Sequence, residues 1–97
     1  MQFRVVQEDE DDELTPTEEL QEKLFEENPD AQLIPEFEEG FVGIQRSNPP
    51  VAVYDYWYCV SILVESGYNY WAAIEYIHED VLKRFSGKSA PVLVEMS

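Results

Sequence analysis

Residues 51–85 decide the fold, and they read VAVYDYWYCVSILVESGYNYWAAIEYIHEDVLKRF. The first four residues are β-prone, and Asp55 can accept hydrogen bonds from the free N–H groups at the start of a helix. The stretch therefore predicts a strand followed by a helix that begins at Tyr56. Gly67 can adopt the left-handed conformation that ends a helix, so we expect this first helix to stop there.

The first predicted helix is apolar on nearly all sides, which is typical of a buried helix. We therefore expect it to be the central and most buried helix. Its apolar positions are Trp57, Cys59, Val60, Ile62, Leu63 and Val64.

A second helix is predicted from Asn69, which can cap it, to Gly87, which can end it. Apolar residues recur along one stripe at three- and four-residue spacing: Tyr70, Ala73, Ile74, Ile77, Val81 and Phe85. The opposite side should face water, and it carries Glu75, Glu79, Lys83 and Arg84.

The spacing of these and nearby residues resembles that of a group of small bacteriophage and prophage proteins. The shared positions are Ala52-Val53-Tyr54-Asp55, Cys59, Leu63, Gly67, Tyr70, Ala73, Glu75-Tyr76, Val81, Gly87 and Pro91. The resemblance covers the C-terminal part of the chain and leaves out the Glu- and Asp-rich N-terminal arm. It implies a phage origin and a shared fold, but no activity, because the activity of that group is not established.

Two further runs predict the rest of the sheet. Phe41–Gln45 reads as a strand that turns at residues 46–50 and pairs with the strand at 51–54, and the β-branched run 91–96 reads as a third strand. We therefore predict an α+β fold, a small three-stranded sheet with two packed helices in the order β-β-α-α-β. This compact core covers residues 40–97, and residues 1–39 form an acidic N-terminal arm and helix.

Within the arm, residues 1–7 predict a short strand, and the six consecutive acids Glu8–Glu13 predict a solvated or disordered segment. A helix should begin after Thr15, because Pro16 suits its first position and Glu18 completes a capping box. The helix should end at residues 28–30. Leu33, Ile34 and Phe37 are expected to dock as an irregular or extended segment, since the flanking prolines oppose a helix.

The charge is concentrated in this arm. The formal net charge is −15; residues 1–39 hold 15 acids and 2 bases, which gives −13, and residues 40–97 hold 6 acids and 4 bases, which gives −2. Such a charge disfavours direct binding to nucleic acids or anionic membranes and favours basic protein surfaces. No apolar run is long enough to span a membrane and no signal-peptide pattern is present. The single cysteine suits a reducing compartment, so we expect a cytoplasmic protein in the host cell.

The sequence contains no recognisable catalytic set. His78 is the only histidine and lacks the additional His or Cys ligands of a zinc site. Cys59 lies on the apolar helix and is interpreted as a buried thiol. No Gly-rich phosphate loop is present. We therefore expect a protein that is not an enzyme, with no cofactor and no metal.

Aromatic residues are dense around the two helices. Because neighbouring residues on a helix point in different directions, at least two or three of these aromatics should be partly exposed. Three interpretations stay open for the set: core packing, a protein or self-association interface, and a stacking pocket for a nucleobase. The residues concerned are Tyr54, Tyr56, Trp57, Tyr58, Tyr68, Tyr70, Trp71 and Tyr76.

The predicted function is that of a small acidic phage-type binding protein that inhibits or modulates a host protein. Its carboxylates would occupy a basic surface, such as the nucleic-acid channel of a host defence or DNA-processing enzyme, as a DNA mimic does. The predicted contact residues are Asp9, Asp11, Asp12, Glu13, Glu18, Glu19, Glu22 and Glu26, with Tyr56 and Trp57 as anchors. The alternatives are a solubilising acidic tail, an oligomeric nucleotide-binding sponge, and an assembly protein that pairs through its sheet edge and aromatics.

Overall fold

The computed structural model describes residues 15–96, so the predicted strand at 1–7 and the acidic run Glu8–Glu13 lie outside the described residues. The predicted α+β class, with the element order β-β-α-α-β after an N-terminal helix, is confirmed. The elements are α1 (Pro16–Glu27), a 3₁₀ helix (Pro35–Gly40), β1 (Phe41–Gln45), β2 (Val51–Asp55), α2 (Tyr56–Glu65), α3 (Tyr70–Tyr76), a π-helical turn (Ile77–Val81), α4 (Leu82–Arg84) and β3 (Val92–Val94).

The helices begin where short polar side chains cap them. Thr15 and Glu18 form the reciprocal capping box of α1, at 3.0 and 3.1 Å. Asp55 accepts hydrogen bonds from two backbone N–H groups of the first turn of α2, at 3.1 and 3.3 Å. Asn69 accepts one from the first turn of α3 at 2.8 Å. Gly67, between these two helices, has a φ of +116°, which residues with a side chain rarely adopt.

The sheet has the order β1-β2-β3, with β2 in the centre. β1 is antiparallel to β2, and β3 is parallel to β2 because α2 and α3 carry the chain back to the same end of the sheet. Side chains on one face, including those of Ile44, Ala52, Tyr54 and Leu93, belong to or pack against the hydrophobic core. The half-buried Val53 alternates with them along the central strand.

The core draws on every part of the described chain. Leu24, Ile34 and Phe37, all N-terminal to the sheet, are fully buried in the same cluster as Tyr54. The hydroxyl of Tyr54 accepts a hydrogen bond from the backbone N–H of Ile34 at 2.9 Å. The connection from α1 to β1 is therefore attached to the central strand by both apolar packing and a buried hydrogen bond.

Two local predictions are corrected. Leu33 and Ile34 lie in irregular or extended chain as predicted, but Phe37 lies in a 3₁₀ helix. The helix begins at Pro35, because proline is well suited to a first helical position, where no N–H is required. Helix α2 is not buried on all sides: Cys59, Val60 and Leu63 are buried, whereas Trp57 is 40 % exposed. Helix α2 packs mainly against α3 and the 3₁₀ helix, which leaves its remaining side open to solvent.

Candidate interaction surface

A groove runs between β3 and the helical residues 77–82 and has a volume of about 420 Å³. Its walls are mainly apolar on the side of the strand, and they carry one carboxylate. The lining residues are Tyr56, His78, Leu82, Pro91, Val92, Leu93 and Glu95. The groove thus lies along the outer edge of the sheet, since β3 is the last strand.

The helical wall of the groove is built by a pair of polar rings. Tyr56 is the first residue of α2, directly after the central strand, and His78 lies in the π-helical turn. The Tyr56 hydroxyl oxygen is 3.1 Å from His78 Nε2, within hydrogen-bond distance. Burial raises the pKa of the Tyr56 phenol, and the nearby carboxylate of Glu95 acts in the same direction, so Tyr56 keeps its proton at neutral pH.

A row of rings continues from the groove, and we call Tyr56, Trp57, Tyr70 and Trp71 the aromatic surface. Tyr56 is half-buried, and the other three rings are exposed. Tyr56 and Trp57 meet edge to face with ring centroids 4.8 Å apart. Trp57 and Tyr70 have ring planes 3° apart and centroids 6.3 Å apart, and Tyr70 and Trp71 meet edge to face at 5.3 Å. Tyr70 is 47 % exposed and Trp71 75 %. The four rings therefore form a chain of contacts that runs from the groove out to solvent.

One hydrogen bond joins the aromatic surface to the edge strand. The indole Nε1 of Trp57 donates to Oε1 of Glu95 at 3.3 Å. This bond holds the carboxylate at the end of the groove, next to the ring of Trp57. Groove and aromatic surface are therefore one continuous feature.

Sequence reasoning identified part of this surface. Tyr56 and Trp57 were predicted as contact residues, and both lie on it. Tyr70 was predicted to lie on the buried stripe of its helix. This prediction is wrong: Tyr70 is exposed, and the first buried residue of the helix is Ala73. The positions of His78 and Glu95 in the groove were not predicted from the sequence, because only the parallel return of β3 brings their segments together. At least two or three exposed aromatics were expected, and this is confirmed by five exposed rings: Trp57, Tyr58, Tyr68, Tyr70 and Trp71.

The predicted glutamates of α1 form a second, separate surface. Glu18, Glu19, Glu22 and Glu26 are all exposed, and at about 100° per residue they project opposite the buried Leu24. Helix α1 packs against β1 and β2, whereas Tyr56 and Trp57 contact the residues of β3 and its end. The two groups of predicted residues thus lie towards opposite edges of the sheet. The other predicted acids, Asp9, Asp11, Asp12 and Glu13, lie outside the described residues.

Cys59 and His78 do not meet as a nucleophile and its base. Cys59 is fully buried, and burial raises the pKa of its thiol to about 12, so the protonated thiol dominates at neutral pH. His78 is exposed at the groove and contacts Tyr56. Within residues 15–96, no group of three His, Cys, Asp or Glu side chains is arranged to hold a metal ion.

Three basic side chains near the core are engaged by carboxylates. Arg46 pairs with Glu27, and Lys83 pairs with Glu79 at 2.9 Å. Arg84 binds Glu36 through two hydrogen bonds at 3.0 and 2.8 Å. These cations are therefore already neutralised within the chain.

Comparisons with protein-family models, curated proteins and solved structures find no match to this chain. In the part of the chain that the structure describes, no helix combines the length and the apolar content needed to cross a membrane.

Proposed function

We propose that this chain is a binding protein that docks onto a basic surface of another protein, with the aromatic surface as its anchor. The observation that carries the proposal is the exposure of Trp57, Tyr70 and Trp71 in mutual contact. Tyr and Trp combine a large apolar area with a polar group, and they are the residues that most often dominate binding energy at protein interfaces. Keeping two tryptophans and a tyrosine partly in water is unfavourable unless a partner covers them.

The acidic face of α1 supplies the long-range part of this mechanism. Glu18, Glu19, Glu22 and Glu26 project into solvent, and within residues 15–96 none of them forms a salt bridge. An uncompensated acidic face on a chain of net charge −15 attracts basic proteins and speeds their encounter. In this mechanism α1 steers the partner, and the aromatic surface makes the buried contact.

Imitation of DNA is the narrower form of the proposal, and it depends on the N-terminal arm. The four predicted glutamates of α1 span about 12 Å of the helix axis, which is one charge per about 3–4 Å. Duplex DNA carries one charge per about 1.7 Å of its axis. Helix α1 alone is therefore only about half as densely charged as DNA. A partner whose basic surface is a nucleic-acid channel would also have to engage the carboxylates of Asp9, Asp11, Asp12 and Glu13.

The nucleotide-binding alternative has less support. A phosphate ligand needs nearby Arg or Lys. Of the four basic residues near the core, Arg46, Lys83 and Arg84 are occupied by carboxylates of the same chain, which leaves Lys88 for a phosphate. The rings of Trp57 and Tyr70 also stack on each other, so a nucleobase would have to separate them. The resemblance to phage proteins supports a bacterial host protein as the partner.

The test is affinity capture from a bacterial lysate on the immobilised full chain, compared with the variants Trp71→Ala and Phe25→Ala. Both substitutions remove an exposed ring, but Phe25 lies on α1 towards the other edge of the sheet. We expect a basic protein that binds the wild type and Phe25→Ala and is lost from Trp71→Ala. Trp71→Ala should melt within a few degrees of the wild type, because its ring is 75 % exposed. Phe25 is 38 % exposed, so Phe25→Ala should lower the melting temperature more while the chain stays folded at the temperature of the capture experiment.

The dependence of binding on salt concentration distinguishes the electrostatic contribution of α1 from the contact made by the aromatic surface. Neutralising the four glutamates of α1 to Gln should slow association and reduce its dependence on ionic strength, since exposed charges act through a screened field. Capture of the same proteins by wild type and Trp71→Ala would refute the aromatic anchor. Nucleotide-induced stabilisation of the chain, without any captured protein, would favour the nucleotide-binding alternative.

A further inference from the structure

We infer that the groove along β3 receives an extended segment of the basic partner, which adds to the sheet as a fourth strand. The inference rests on the proposed function and specifies how the partner is held. Three observations carry it: an unpaired strand edge, an apolar groove beside that edge, and a single negative charge at the end of the groove.

The unpaired edge determines the conformation of the occupant. β3 pairs with β2 on one side, and no strand within residues 15–96 pairs with the other side. The backbone N–H and C=O groups that point outward from an edge strand are available to another chain. An extended segment satisfies them by main-chain hydrogen bonds, as in other cases of strand addition. A helix laid in the groove would leave these groups unpaired.

The groove supplies the contacts for side chains. Leu82 and the π-helical turn form one wall, and Pro91, Val92 and Leu93 form the other. A volume of about 420 Å³ lies within the range of sites that bury a ligand. Because residues of a strand point alternately to opposite sides, every second side chain of the incoming segment would enter the groove. These side chains should be apolar.

The charge of the groove determines which segment fits. Among residues 15–96, Glu95 is the only Asp, Glu, Lys or Arg in its lining, and Trp57 holds the carboxylate in place. A Lys or Arg side chain at that end of the segment would pair with it, whereas a C-terminal carboxylate or an acidic segment would be repelled. A second copy of this chain is also disfavoured as the occupant, because each copy carries a net charge of −15.

The test selects peptides and then asks how they bind. Dodecapeptides from a random display library are selected on the full chain, and the peptide recovered most often is labelled with a dye and titrated by fluorescence polarisation. We expect alternating apolar residues with at least one Lys or Arg. N-methylation of every second backbone nitrogen should weaken binding by about tenfold or more in at least one of the two registers, because it blocks the main-chain hydrogen bonds.

A matched pair of charge reversals locates the site. Glu95→Lys should lower the affinity for the peptide by about tenfold. Glu22→Lys, the same change on α1, should alter this affinity by less than about twofold at physiological salt. Amide NMR shifts on peptide addition should concentrate in Val92–Val94 and residues 77–82. Failure to recover a peptide, equal effects of the two reversals, or unchanged binding of both N-methylated peptides would each overturn strand addition. The lysate result with Trp71→Ala would be unaffected, so the two proposals can fail separately.

Discussion

Arg84 forms two parallel hydrogen bonds with the carboxylate of Glu36, a residue 48 positions earlier in the chain, at 3.0 and 2.8 Å. The hydroxyl of Tyr76 donates to the same carboxylate at 3.0 Å. This pairing fastens the 3₁₀ helix to the end of the helical residues 70–84. The hydrogen bonds from Arg84 are the main reason that the pKa of Glu36 is lowered from 4.5 to about 2.

The Glu36–Arg84 pair should make stability depend on pH in the acid range. The pKa of Glu36 is lower in the folded state than in the unfolded state, so its contribution is complete above about pH 5 and is lost as the pH falls towards 2. Both side chains are about one-third exposed, so solvent screens their interaction. We therefore expect the pair to contribute ~1–2 kcal/mol to the free energy of unfolding, which is less than the full pKa shift would give. Urea unfolding of Glu36→Gln and wild type at several pH values would measure a difference that shrinks towards zero near pH 2.

The exposed pair Glu79–Lys83 is the control for this prediction. Its nitrogen–oxygen distance is also short, at 2.9 Å, but both side chains are nearly two-thirds exposed. Glu79→Gln should therefore change stability less than Glu36→Gln does. If the difference in unfolding free energy between wild type and Glu36→Gln stays constant from pH 7 to pH 2, ionisation of Glu36 is not involved.

Tyr54→Phe should destabilise the fold by ~1–3 kcal/mol, because it removes the acceptor of the buried Ile34 N–H group. The ring and its apolar contacts remain, so the effect reports the hydroxyl alone. Tyr58→Phe removes a hydroxyl from an exposed ring and should change stability by less than about 0.5 kcal/mol. Equal unfolding free energies of the two variants would contradict the role assigned to Tyr54.

Asn28→Ala should also lower the free energy of unfolding, by ~2–3 kcal/mol. The side-chain amide donates to the Pro50 carbonyl at 2.9 Å and to the Ser89 hydroxyl at 3.1 Å. Asn28 is buried and joins the end of α1 to the segments that lead into β2 and β3. Ser89→Ala removes only one of these bonds and should have a smaller effect in the same denaturant titration. An unchanged free energy of unfolding in Asn28→Ala would mean that water replaces the hydrogen bonds of the amide.

Cys59 should resist thiol reagents in the folded protein at neutral pH. Its side chain is fully buried and its thiol pKa is raised to about 12, and the thiolate is the reactive form. The rate of reaction with an aromatic disulfide reagent should rise only when urea unfolds the chain. A Cys59→Ala protein that carries Ser61→Cys, on the exposed side of α2, should react rapidly without denaturant. Equally fast labelling of native wild type would refute the prediction.

The sequence by itself determined where helices α1, α2 and α3 begin. Thr15, Asp55 and Asn69 each cap a helix through atoms two or three residues away, and Gly67 supplies the positive φ between two helices. Such features depend on short stretches of chain, so their chemistry can be read directly. The strands and the α+β class follow from the same local patterns of apolar and polar residues.

Only the tertiary structure decided which segments lie together. It placed β2 in the centre and returned β3 parallel to it, which created the groove between β3 and the π-helical turn. It also brought Arg84 to Glu36 and left Tyr70 in solvent, although its helical spacing predicts burial. The physical reason is that apolar periodicity identifies which face of a helix can be buried, whereas the available covering surface depends on how distant segments cross.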